Sequence, residues 1–97
     1  MARENPPLSI YELRSITGVD EDTGDLVWLT KRKNSDIGAV VGNVSKEGGR
    51  KTTIYYRHYK VERLVWFWYH GEDPGRSKII HINGNKLDNR ISNLKLH

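Results

Sequence analysis

A histidine and two asparagines stand in the run His81-Ile-Asn-Gly-Asn-Lys-Leu-Asp-Asn-Arg-Ile-Ser-Asn93, spaced so that a strand, a turn and a helix could bring them together. An imidazole titrates near neutrality, so His81 can take a proton from water. An amide oxygen such as that of Asn93 is a hard donor of the kind that Mg²⁺ and Mn²⁺ accept. The i, i+4 spacing of Asn89 and Asn93 would set both on one face of a helix, turned toward the strand that carries the histidine. Taken singly, His81 reads as a structural histidine, Asn83-Gly84 as an ordinary turn, Asp88 as a helix cap and Asn93 as a surface amide. Order and spacing join them into a site. Apolar residues at 82, 87, 91 and 94 are placed to anchor the run to a core.

The elements that must hold this run are legible upstream. Ser9 starts a short helix, with Glu12 completing a capping box, Leu8 stapling onto Leu13, and Gly18 as the C-terminal stop. Ile10, Leu13 and Ile16 supply its buried stripe. Thr23-Gly24 marks a turn before a strand at Leu26-Val27-Trp28. A second apolar run covers 39–44, and the Lys46-Glu47-Gly48-Gly49 turn links it to a strand at 52–56. Arg57-His58 reads as a tight turn back into Tyr59-Lys60-Val61. The first two-thirds should therefore be one small antiparallel sheet. A central helix over 62–70 ends at Gly71, with Val61, Leu64, Val65 and Trp68 facing the sheet. Trp66, Phe67 and Tyr69 are then partly uncovered, which suggests a surface for a second copy or a protein partner. A strand over 78–82 ends on His81, and Asp88 caps a last helix through Leu94.

Composition narrows the class. Ninety-seven residues make a single domain, expected over 8–97 behind a disordered lead-in at 1–7. Without cysteine there is neither a disulfide framework nor a thiolate metal site. No apolar run approaches the ~18 residues of a membrane span, and MARENPP has no signal core. A cytosolic protein that does not engage a membrane is the expectation. The net charge of +4 favours an anionic partner. Its basic residues cluster at Lys31-Arg32-Lys33, Arg50-Lys51, Arg57-His58 with Lys60, and Arg76 with Lys78, mostly where loops or turns are expected.

The residues Thr23-Gly24-Asp25-Leu26-Val27-Trp28, the Gly48-Gly49 turn, Tyr59-Lys60-Val61-Glu62-Arg63-Leu64-Val65-Trp66 and HINGNKLDNRISNL follow one another in an order that resembles the phage and intron type of HNH homing endonuclease. The resemblance runs from about Leu8 to the end. It implies an α+β fold, in which a small antiparallel sheet and a central helix carry a C-terminal ββα-metal (HNH, or His-Me finger) unit. It also implies a nuclease that binds double-stranded DNA and hydrolyses phosphodiester bonds, in some members by nicking, with one divalent ion (Mg²⁺ or Mn²⁺). By resemblance His81 is the general base, Asn89 orients it, and Asn93 is the metal ligand in an H-N-N variant of the motif. Phosphates would be held by Arg63, Arg90, Lys86, Arg57 and Lys78.

Two positions depart from the family pattern. Ile80 stands where an aspartate ligand is usual, and Glu62 stands where a histidine is usual. A carboxylate is thus missing at 80 and present at 62, so Glu62 either reaches the metal in place of the lost aspartate or is a surface residue that compensates the helix dipole. Without it the ion would be weakly held, since a neutral amide is a poor sole ligand for Mg²⁺. The rival expectation is a degenerate HNH fold that binds DNA or a host protein without cutting. Family members with long target sites carry a further recognition region after the nuclease core. A chain that stops at His97 is accordingly expected to have low sequence specificity, or to depend on dimerisation or a second protein.

Overall fold

The computed structural model describes residues 8–97, so the expected lead-in at 1–7 lies outside the described residues. Helix α1 (Ile10–Ile16) begins as its sequence requires. The Glu12 N–H donates to the Ser9 hydroxyl at 3.0 Å, and the Ser9 N–H donates to the Glu12 carboxylate at 3.3 Å. Leu8, Leu13 and Ile16 are buried. The helix stops one residue earlier than the glycine signal suggests. Thr17 is extended, and both its hydroxyl and its N–H donate to the Leu13 carbonyl. Gly18 instead lies inside β1 (Thr17–Val19), where a Cβ would press on the Leu29 side chain at 3.1 Å.

Strand β1 pairs antiparallel with β2 (Leu26–Trp28), with Thr17 opposite Trp28. Only Asn43–Val44 of the second apolar run forms a strand, β3, and Val40 makes a single bridge to Val27. Strands β3, β4 (Arg50–Ile54) and β5 (Arg57–Lys60) make a three-stranded antiparallel sheet. The expected single sheet is therefore two small ones, β1–β2 and β3–β4–β5. Its expected turn at Arg57-His58 is also corrected. Those residues pair with Ile54 and Thr53, and the reversal falls on Tyr55 and Tyr56, with φ of 49° and 67°. Both positive angles match the mirror-image turn that suits the twist of a two-residue hairpin.

Helix α2 (Val61–His70) buries Val61, Leu64 and Val65 and closes at Gly71, whose φ of 74° and N–H bond to Phe67 O make the expected left-handed cap. Its aromatic side chains are partly uncovered, as expected. Trp66, Phe67 and Trp68 pack half-buried against the core, leaving Tyr69 the exposed one of the three named residues. The Trp68 indole donates to Thr17 O, and Arg14 donates twice to the Trp68 carbonyl, tying α1 to α2. Strand β6 (Ile79–His81) pairs antiparallel with β7 (Leu94–Leu96), His81 opposite Leu94. The expected last α-helix is absent. In its place stands one 3-10 turn over Ile91–Asn93 leading into β7. This is a small α+β fold with two helices and antiparallel sheets. Among the described residues no helix is long and apolar enough to cross a membrane.

Candidate active site

Between β6 and β7 the chain forms a polar loop organised by its own side chains. The Asn83 side-chain oxygen Oδ1 accepts from Asn85 N–H at 2.8 Å, and Asn85 Oδ1 accepts from Leu87 N–H at 3.0 Å. Such short-range bonds are what asparagine offers a loop in place of a ladder. Asp88 does not cap a helix. Its carboxylate takes a two-pronged contact from Arg90 at 2.8 Å and a bond from the Asn83 amide at 2.8 Å. Hydrogen bonding by Arg90, then by Asn83, holds the Asp88 carboxyl far below its ordinary range despite an opposing desolvation effect.

Asn89 is buried, and its side-chain oxygen lies 2.7 Å from His81 Nε2. With the amide in this orientation, Nε2 carries the ring proton and Nδ1 keeps a lone pair. Asn93 is also buried, but it is occupied otherwise. Its oxygen accepts from Asn83 N–H at 3.0 Å, and its amide donates to Asn83 Oδ1 and Asp88 O. The expected face shared by Asn89 and Asn93 does not exist, because no α-helix carries them; Asn93 braces the loop.

On β6, Ile79 and His81 line a cavity of about 210 Å³, and the intervening Ile80 does not. Alternation along a strand accounts for this, since neighbours point to opposite faces. The far wall comes from Ser45, Glu47 and Gly49 of the β3–β4 turn, from Arg50 and Lys51 of β4, and from Lys60 and Glu62 where β5 passes into α2. Glu62 thus shares a cavity with His81, though Asn93 does not, so the two expected metal ligands do not meet there. The Glu62 Oε1 atom is buried without a hydrogen-bond partner. An uncompensated buried carboxylate oxygen is unfavourable, and a divalent cation would satisfy it. The donor chemistry therefore fits such an ion at one carboxylate, although no group of three acidic, histidine or cysteine side chains gathers among the described residues.

The five expected phosphate ligands separate. Arg63 donates to the carbonyls of Ser77 and Gly75 and lies 3.5 Å from Asp73, so it holds the loop at 72–77. Arg90 is committed to Asp88, and its Cγ, Cβ and Cα fill the space where a Cβ on Gly24 would collide. Lys86 lines the His81 cavity, and its ammonium donates to the Glu47 carbonyl at 2.9 Å. Lys78 lies on a neighbouring hollow with Lys60 and Glu62. Arg57 lies on β5 and lines a different hollow with Tyr59 and Phe67. Ser45, Arg50, Lys51 and Lys60 went unassigned in sequence. Charge clustering was the only signal for Arg50, Lys51 and Lys60, which lie on strands, and Ser45 carried none.

With this geometry in place, comparison with known families gives one match. Residues 59–97 fit the family described as HNH endonuclease, a span containing α2, β6, β7 and the whole polar loop. The match covers less than half of the chain and marks that segment as similar to HNH endonuclease domains. No curated protein and no solved structure matches the chain.

Proposed function

We propose that this protein is an HNH endonuclease of the homing type, of phage or mobile-element origin, that nicks double-stranded DNA in the cytosol of its host. The observation that carries the reading is the pair His81–Asn89, a half-buried imidazole fixed by a buried amide at the edge of a cationic cavity. Asn89 acts as a positioning residue. By accepting from Nε2 it leaves Nδ1 of His81 free to take a proton from the attacking water. Four cationic side chains, those of Arg50, Lys51, Lys60 and Lys86, face two carboxylates around the cavity, so a phosphodiester is drawn toward the histidine. Glu62 would hold a divalent ion (Mg²⁺ or Mn²⁺), with water and phosphate oxygens as its other ligands. When bound, that ion supplies charge neutralisation at the phosphorane and the leaving oxygen.

A second reading, an HNH fold that binds DNA or a host protein without cutting it, is favoured by Ile80 and by the commitment of Asn93 to the loop. Nicking of supercoiled plasmid with Mg²⁺ or Mn²⁺, wild type against His81→Ala, separates the two. Cutting that survives the substitution removes His81 from its role. Salt-sensitive binding without cutting selects the second reading.

A further inference from the structure

Glu62 is not the only residue of the His81 cavity with an unanswered polar atom. Ser45 Oγ and Arg50 Nε are also buried without a hydrogen-bond partner, and both residues line this wall. A buried donor left unmade is unfavourable, so two at one cavity mark a place where an acceptor belongs. The surrounding charge gives the sign of that acceptor. Lys51 and Lys60 stand directly opposite each other in the β4–β5 ladder, an arrangement that repels. Lys51 is answered by Glu47 at 2.5 Å, whose carboxyl it holds below its ordinary value, whereas Lys60 makes no ion pair among the described residues.

We propose that this wall is a phosphate subsite, in which Ser45, Arg50 and Lys60 receive the non-bridging oxygens of a DNA phosphate beside His81. The proposal rests on the nuclease reading and extends it to Ser45 and Arg50, which lie outside the span that matches the family. Lys86 fixes the depth of the subsite, because its bond to the Glu47 carbonyl pins the β3–β4 turn against the polar loop. The cavity then has a division of labour. Glu62 takes the cation, and the sheet takes the anion.

The test titrates inorganic phosphate into the isotope-labelled full chain and follows the Arg50 Nε–H and Ser45 amide resonances. Both should move saturably, and Ser45→Ala/Lys60→Gln should weaken that binding about tenfold, against no change in Lys95→Gln. Neither side chain in the double variant makes a hydrogen bond or ion pair among the described residues; Arg50 is spared because its Nη1 donates to Gly42 O. With a DNA duplex, the salt slope of binding should fall by roughly one unit. Phosphate that moves resonances elsewhere, or a double variant that binds like Lys95→Gln, overturns the subsite. Phosphate bound here by a protein that never nicks DNA upholds the subsite and sinks the nuclease reading alone. Nicking by wild type with phosphate binding unaltered in the double variant does the reverse.

Discussion

The loop that follows His81 and the cavity wall that faces it are built from similar polar side chains and treat them differently. Within the loop Asn83, Asn85, Asp88, Asn89 and Asn93 each find a partner in the loop itself or in His81. Across the cavity Ser45, Arg50 and Glu62 keep buried atoms with none. Satisfied polar groups fix a shape; unsatisfied ones are held ready for something that arrives. The contrast teaches which polar residues of a motif serve its architecture and which serve its chemistry, and it moves Asn93 from the second group to the first.

The largest expected effect lies at the junction of the two regions. His81→Ala should reduce the nicking rate by about 10²–10⁴-fold, the range for a general base, while circular dichroism stays unchanged. A reduction under tenfold would break the assignment. Asn93→Asp asks whether that residue braces or ligates. It keeps an oxygen for a metal but loses two donated bonds, so urea unfolding should show a loss of roughly 1–3 kcal/mol with no gain in metal affinity. Tighter Mg²⁺ or Mn²⁺ binding would return Asn93 to the metal.

Glu62→Gln should behave in the opposite way. Removing a buried, unpartnered charge leaves stability within about 0.5 kcal/mol of wild type or better, while the metal concentration for half-maximal nicking rises about tenfold. Equal loss of stability in this variant would erase the distinction between the two regions. The smallest effect concerns acid. Because the folded Asp88 carboxyl titrates below its unfolded value of about 4, its contribution is fully present above that value and fades as the pH falls below it. Asp88→Asn should flatten that acid limb in a plot of unfolding free energy against pH.

What was legible in sequence was local. Ser9 with Glu12, and Gly71 after an amphipathic stretch, each signal a structure through bonds to near neighbours, and both appear as expected. The hairpin at Tyr55-Tyr56 was hidden because tyrosine seldom accepts positive φ, so no glycine or asparagine announced the turn. Asp88 imitates a helix cap, yet Arg90 and Asn83 claim its carboxylate, and the pairing of β7 with β6 draws the following residues into a strand. His81 beside Asn89 was readable from the motif. The cavity was not, since nothing local connects Ser45 or Arg50 with His81 across thirty or more intervening positions.

That distance gives the bond from Lys86 to the Glu47 carbonyl a meaning in folding time. It closes a long loop, and long-range closures come late because chain entropy must be overcome before the contact repays it. The segment 59–97 carries the recognisable signature and can make the His81–Asn89 pair from its own residues. It cannot make the pocket. A chain cut ahead of Tyr59 would keep the histidine, Lys60 and Glu62 and lose the part of the wall from Ser45 to Lys51, so the full phosphate subsite beside His81 arises only when the preceding hairpin docks onto this segment.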